Sequence, residues 1–147
     1  MTEIDRPHHP DLLEYAILLL ARPEVQRHHA GWRRVGDLGV VAESKGEVLG
    51  AALCRLFTEE DHGEGYVDPC TPELGIAANK EHRGRGIGGR LLAALEARAR
   101  QAGYGQLSLS VDRENPSARL YRRAGYEVLS EDEDGYLMLK RLGCSLL

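Results

Sequence analysis

The tightest constraint in this 147-residue chain is a short apolar run that empties into a glycine-rich loop and then into a long amphipathic segment. Glu73 to Ala78 is bounded by turn residues and reads as a strand. Asn79-Lys80-Glu81-His82-Arg83-Gly84-Arg85-Gly86-Ile87-Gly88-Gly89 follows, with four glycines in its last six residues. Overlapping its end, Ile87, Leu91, Leu92, Leu95, Ala99 and Ala102 share one face at helical spacing, Glu96 stands four residues before Arg100, and Gly103 supplies a C-terminal stop. A loop of this kind turns several backbone N–H groups and the positive end of a helix dipole toward one point, which suits an anion and most naturally a phosphate. A plain strand-to-helix turn also uses glycine, so the neighbouring residues have to decide.

Two familiar phosphate loops fit poorly. Gly84-x-Gly86-x-x-Gly89 matches the dinucleotide fingerprint, and Asp112 stands about where a ribose-binding acid would. Only 58 residues follow Gly89, however, too few to complete a doubly wound domain and a substrate domain as well. No Gly-Lys-Ser/Thr triplet is present for a Walker-type loop.

Around the loop the elements fall in a readable order. Asp11 is placed to cap a helix through Leu12, Leu13, Ala16, Ile17 and Leu20, ended by Pro23. Leu38–Ala42 and Val48–Phe57 are expected to form a hairpin across the five-residue loop Glu43–Glu47. An acidic loop, Thr58–Pro72, leads to the strand at Glu73. Gln106–Val111 alternates as a half-buried strand, with Leu107, Leu109 and Val111 inward and Gln106, Ser108 and Ser110 outward. Asn115-Pro116 pairs a capping residue with proline at the first helical position, opening a short helix through Tyr121 that Gly125 ends. Strands Tyr126–Leu129 and Tyr136–Leu142 flank the acidic turn Glu131–Gly135. No repeat or linker divides the chain, so residues 1–147 are read as one α/β domain of mixed α+β type.

Composition narrows the function classes. The net charge is −4, from 19 Lys+Arg and 23 Asp+Glu, so no polycationic surface for long nucleic acids is expected. The total hides a split: Ile76 to Gly125 carries ten basic residues against four acids, a local +6 that leaves −10 on the rest. The apolar run Tyr15–Ala21 is too short for a membrane span and no secretory signal is visible, so a cytoplasmic protein is expected. Cys54, Cys70 and Cys144 are too dispersed for a disulfide framework or zinc site, and the adjacent pairs His8-His9 and His28-His29 lack metal-ligand spacing, so no metal is expected. Sixteen of the 19 basic residues are arginine, which fits genome composition better than a set of anion forks. Trp32 reads as a core anchor ahead of a wall for an acceptor.

Arg83-Gly84-Arg85-Gly86-Ile87-Gly88 resembles the Arg/Gln-x-x-Gly-x-Gly/Ala loop of the GNAT superfamily of N-acetyltransferases. Asn115-Pro116-Ser117-Ala118-Arg119-Leu120-Tyr121, with Gly125-Tyr126 after it, resembles that family's Asn-x-x-Ala-x-x-Leu-Tyr…Gly-Phe/Tyr segment. The close resemblance spans Glu73–Tyr126, 54 positions. Lys80 departs from the proline common at its place. The resemblance implies the GNAT fold: a mainly antiparallel central sheet, splayed between the strands at Glu73–Ala78 and Gln106–Val111, with flanking helices and acetyl-CoA as cosubstrate in the opening. Backbone amides from Arg85 through Gly86, Ile87 and Gly88 to Gly89 would bind the pyrophosphate, with Gly84 in the same loop and Arg83 supporting it. Ile76, Ala77 and Ala78 would line the pantetheine arm, Ile76 and Ala78 pairing their backbones with it. Gly75 would fit a strand bulge, and Asn115 would touch the arm as well as cap its helix.

The chemistry the resemblance implies is direct attack of a primary amine on the thioester in a ternary complex. Tyr121 would protonate the departing thiolate, and the N–H of Ile76 or a close neighbour would polarise the carbonyl. Glu73 would be a base or an amine-binding acid; a water-relayed base and a purely structural Glu73 stay open beside it. The run Glu59, Glu60, Asp61, Glu64, Asp68 and Glu73 would draw a cationic acceptor or simply form a solvated loop. A small amine or amino-acid-like acceptor is favoured over a protein N-terminus or lysine. A non-catalytic acyl-CoA-binding module is the alternative of another class. A homodimer through the C-terminal strand is also consistent with the resemblance.

Overall fold

The computed structural model describes residues 3–4, 37–78 and 86–143. The readings made for the Leu12–Leu20 helix, the two histidine pairs, Trp32, Lys80, Arg83, Gly84, Arg85 and Cys144 lie outside the described residues. Among the described residues seven strands form one sheet: β1 (Glu3–Ile4), β2 (Leu38–Ser44), β3 (Glu47–Arg55), β4 (Glu73–Ala78), β5 (Gln106–Asp112), β6 (Glu127–Glu131) and β7 (Gly135–Arg141), in spatial order β1-β2-β3-β4-β5-β7-β6. Every pairing is antiparallel except β4 with β5. Helix α1 (Ile87–Gln101) lies across β2, β3 and β4, and α2 (Ser117–Arg123) lies against β5.

Register assigns each strand's two faces. Val40, Ala42, Ala52, Cys54, Leu74, Leu107, Leu109, Val111 and Met138 point to one side, where they enclose Leu91, Leu92, Leu95 and Ala99 of α1 and Tyr121 of α2 in one core. Val41, Ala51, Leu53, Arg55, Glu73 and Ala77 belong to the other side and are buried as well. On that second face Arg55 stands directly opposite Glu73 across the β3–β4 ladder and grips Asp37 with two hydrogen bonds, Nε to Oδ1 at 2.8 Å and Nη2 to Oδ2 at 2.6 Å. A planar guanidinium matched to a carboxylate in this way is the form in which a buried charge can be held.

Both helices end in the same motif. After α1, the N–H of Gly103 donates to Arg100 and that of Tyr104 to Ala99, with Gly103 at φ 93°. After α2, Gly125 at φ 100° donates to Arg122, and Tyr126 donates to Tyr121. These are the two crossed bonds of a glycine-terminated helix, whose usual companion is an apolar contact between the residue after the glycine and the last turn. Here that contact is Tyr126 against Tyr121. The Gly-Tyr that follows α2 is thus a folding device.

Several sequence expectations are corrected. The β2–β3 turn has two residues, not five, because a bulge between Ala42 and Glu43 lets Ser44 pair with Glu47; Lys45 (φ 51°) and Gly46 (φ 79°) take the mirror-image turn that matches strand twist. Gly75 sits in an unbroken ladder with β3, opposite Leu53, so it makes no bulge there. Ser108 is buried, since the 58–72 loop covers its side of β5 and its hydroxyl donates to the Gly65 carbonyl at 2.7 Å. The C-terminal strand β7 is interior, between β5 and β6; the edge is β6, exposed along its whole length, with Val128 and Leu129 at 40% and 50% exposure.

Candidate active site

The sheet comes apart at its one parallel pair. β5 pairs with β7 through seven consecutive positions, whereas its register with β4 is a single pair, Glu73 with Ser108, backed by the Ser108 N–H donating to the Pro72 carbonyl at 3.0 Å. Among the described residues, β4 from Gly75 onward has a strand partner only on its β3 side. Its other edge therefore carries backbone donors and acceptors with no strand to take them, the arrangement that accepts an extended ligand as an added strand. The sequence places the glycine loop immediately after this edge, so the edge and the first turn of α1 are neighbours in the chain.

That first turn is built to be approached. Gly86 precedes α1 at φ 75°, ψ 12°, a left-handed conformation that disfavours any side chain, although no atom of the described residues lies within 4 Å of where a Cβ would stand. The first regular helical bond is Arg90 N–H to Gly86 carbonyl, which leaves the N–H groups of Ile87, Gly88 and Gly89 without helical acceptors. No acidic residue occupies this first turn, so the turn itself does not offset the positive end of the dipole. Gly88 has a second reason to be glycine: an added Cβ would lie 2.9 Å from Leu120 Cδ2, so its bareness lets α1 close on α2.

Across the opening stands α2. Asn115 Oδ1 accepts the Ser117 N–H at 2.9 Å, and Pro116 is already at helical φ −60°, ψ −18°, so the expected cap is in place. The helix runs two residues past Tyr121, to Arg123. Tyr121 is the buried residue of α2, and burial pushes its phenol up to about 12. Its ring meets Tyr126 edge to face, with centroids 5.9 Å apart and planes at 65°. Among the described residues its hydroxyl makes no hydrogen bond.

Glu73, at the closed base of the splay, is 2% exposed. Its side chain fills the space beside Gly65, where a Cβ would come within 2.8 Å of Glu73 Cγ and Cδ. The acidic loop thus touches the site through Gly65, which bonds Ser108 and abuts Glu73. Further out on that loop His62 stacks on Tyr66 with centroids 4.1 Å apart. Glu73 and Tyr121 lie on opposite sides of the sheet, Glu73 on the face it shares with Arg55 and Tyr121, on α2, in the core that α1 covers. The sequence-derived set therefore divides into a backbone edge (Ile76, Ala77, Ala78), a helix terminus (Gly86 to Gly89), a capped helix (Asn115, Tyr121) and Glu73 at the base.

One cluster escaped the sequence reading. The four-residue spacing predicts a pair between Glu96 and Arg100 along α1, but Glu96 is buried and accepts hydrogen bonds from Lys140 Nζ at 2.9 Å and from the Tyr126 hydroxyl at 3.0 Å. Arg100 bonds the Leu142 carbonyl instead. Burial, then the charge and hydrogen bond of Glu96, drive the Tyr126 phenol above its ordinary range. The signal in the sequence was an acid on the apolar face of α1, beside Leu92, Leu95 and Ala99. Among the described residues no group of three or more His, Cys, Asp or Glu could hold a metal ion, and no helix is long and apolar enough to cross a membrane.

A model of the acetyltransferase (GNAT) family matches residues 5–126. No match was found among curated proteins. Among solved structures, an N-acetyltransferase from Staphylococcus aureus superposes with a TM-score of 0.73 at 21% identity, over 97% of this chain and 99% of its own, a likeness of fold. A phosphinothricin acetyltransferase from Sinorhizobium meliloti, solved in complex with acetyl-CoA, is 28% identical over 74% of this chain, with a TM-score of 0.61; the chain spans 62% of its length. A ribosomal-protein-alanine N-acetyltransferase from Brucella melitensis is also 28% identical, over 76% of this chain and 73% of its own, with a TM-score of 0.63.

Proposed function

The chain belongs to the GNAT family of acetyltransferases, and from that premise we propose that it transfers an acetyl group from acetyl-CoA directly to a primary amine. The observation that carries this reading is the β4–β5 pair that opens after one register position and leads straight into the glycine turn of α1. A pyrophosphate at Gly86–Gly89, with Arg83, Gly84 and Arg85 in the same loop, would take up the free N–H groups and the helix dipole. The arm would extend along Ile76, Ala77 and Ala78, with Asn115 facing it from the cap of α2.

In the reaction the amine nitrogen attacks the thioester carbonyl and the C–S bond breaks. The N–H of Ile76 is the oxyanion donor in this reading, and the Tyr121 phenol gives its proton to the sulfur. At about 12 the phenol stays protonated at every physiological pH, so the donor is always loaded. It sits about 3.5 units above a thiol of about 8.5, which would make full transfer uphill by about 5 kcal/mol in water. The same desolvation that raises the phenol also raises a thiolate formed beside it, which narrows that gap. The amine's proton leaves through water or through Glu73. The opposition of Arg55 and the packing against Gly65 favour Glu73 as a fixed carboxyl group that orients the amine.

The acceptor we favour is a small amine or amino-acid-like molecule, and the protein is read as a cytoplasmic enzyme, able to form a homodimer, with no nucleic-acid or membrane partner. The Brucella neighbour, as similar as the phosphinothricin enzyme, keeps a protein N-terminus as the second reading. Measuring CoA release from acetyl-CoA over a panel of small amines, amino acids and N-terminal peptides tests both. Turnover on the small amines supports the first reading and turnover on peptides alone the second. Stabilisation by acetyl-CoA with no turnover on any acceptor makes the chain a binding module.

A further inference from the structure

The reaction as described makes no use of the polar cluster buried beside Tyr121. Glu96 lies midway along α1, on its apolar face, and is 5% exposed. Its Oε1 accepts from Lys140 Nζ on β7, and its Oε2 from the hydroxyl of Tyr126, the residue that follows the glycine stop of α2. The Tyr126 ring then meets the Tyr121 ring edge to face at 5.9 Å. One carboxylate thus joins α1, β7 and the end of α2, and the chain of contacts finishes on the ring proposed to carry the proton.

A carboxylate in an apolar helix face is costly to bury, and replacing a buried ionic group by apolar side chains is often neutral or stabilising. Stability alone therefore does not account for Glu96. What apolar side chains would not supply is direction. With no hydrogen bond to the Tyr121 hydroxyl among the described residues, the orientation of that phenol is set by the surfaces its ring rests on, and Tyr126 is the aromatic one. Tyr126 is itself fixed at its far end, because its O–H bond to the carboxylate sets both the ring's depth and its plane. Lys140 spans Gly125, whose added Cβ would stand 3.5 Å from Lys140 Cε, and balances the charge of Glu96.

We propose that Glu96, charge-balanced by Lys140, is a positioning residue that acts through the Tyr126 hydroxyl to hold Tyr121 in the orientation from which it protonates the leaving sulfur. The inference rests on the reading of Tyr121 as proton donor; neither Glu96 nor Tyr126 touches substrate in it.

The test is a double-mutant cycle on the full chain, with acetyl-CoA and the fastest amine of the panel. Tyr126→Phe removes one oxygen and keeps the ring, and Glu96→Gln keeps the volume and removes the charge. Each is expected to lower kcat about five- to tenfold while KM for acetyl-CoA stays within about twofold, and to cost less than about 1.5-fold in a Tyr121→Phe background. Equal losses in both backgrounds, or no loss with Tyr121 present, overturn the proposal. If Glu96→Gln fails to fold, Tyr126→Phe carries the test alone. The ring-flip rate of Tyr121, followed by NMR with labelled tyrosine, adds a readout without substrate: faster flipping in Tyr126→Phe supports positioning, and an unchanged rate overturns it. If Tyr121→Phe by itself leaves kcat intact, the proton-donor reading fails, while the ring-flip result still decides whether Glu96 and Tyr126 hold that ring.

Discussion

Removing the Tyr121 hydroxyl separates chemistry from folding unusually well. The ring is buried and rests on Tyr126, and no hydrogen bond to its oxygen is formed among the described residues. Tyr121→Phe therefore keeps the packed surface and breaks no internal bond, so its effect on stability is expected to stay within about 0.5 kcal/mol. If the phenol supplies the proton to the sulfur, kcat is expected to fall about 100- to 1,000-fold, equivalent to about 2.7–4.1 kcal/mol of lost transition-state stabilisation. KM for acetyl-CoA should change little, because the hydroxyl acts only as the C–S bond breaks. The pH profile adds a second check. With the phenol at about 12, the wild-type rate should rise as the amine loses its proton and then show no fall from this residue up to about pH 10. The assay is initial-rate CoA release from pH 6 to 10, run beside a denaturation curve for each variant. A kcat within about twofold of wild type at every pH, with folding unchanged, would refute the role given to Tyr121.

Four other perturbations read different parts of the structure. Gly86→Ala puts a Cβ at φ 75°, where no described residue comes within 4 Å of it, so backbone strain should cost about 1–2 kcal/mol, measured by urea denaturation, and acetyl-CoA should bind more weakly in a titration. Gly88→Ala meets Leu120 Cδ2, so its loss of stability should be relieved when Leu120→Ala is added, and a purely additive pair would contradict the close approach of the two helices. Arg55→Met removes the guanidinium that bonds both oxygens of the buried Asp37 carboxylate and should cost about 3–5 kcal/mol; a loss under about 1 kcal/mol in the same denaturation assay would show that the ion pair carries little. Tyr121, Tyr126 and Cys54 all hold their protons more tightly folded than unfolded, with Cys54 pushed up to about 12 by burial and then by Asp37. Their contribution is full below the unfolded values near 9 to 10 and is lost above them, at up to about 1.4 kcal/mol per pH unit for each group, which alkaline denaturation at stepped pH would show.

What the sequence revealed depended on the range of the interaction. The strand Glu73–Ala78, the onset of α1 at Ile87, the Asn115 cap and the glycine stops at 103 and 125 all rest on contacts within a few residues, and all were legible. Glu96 was misread because its apparent partner, Arg100, is four residues away, whereas its real one, Lys140, is 44 away on a strand with its own apolar pattern. Ser108 looked like a solvent-facing position, since alternation cannot show that a loop from 58–72 folds back over half of that face. The hairpin was cut short because Glu43, Ser44 and Glu47 are polar, yet a bulge carries the ladder through them. The site divides along the same line. The glycine turn and Tyr121 stand in local motifs, while the opposition of Arg55 to Glu73 and the contact of Gly65 with Glu73 exist only once β3, β4 and the acidic loop are assembled.

The most direct test of an acetyl-CoA site in the β4–β5 opening is an amide NMR titration of the wild-type chain with acetyl-CoA, with NAD as the control. The largest shifts are expected at Ile76–Ala78 and at Gly86, Ile87, Gly88 and Gly89, saturating together, with no response to NAD. Saturable shifts centred elsewhere, along β6 for example, or a response to NAD alone, would contradict it.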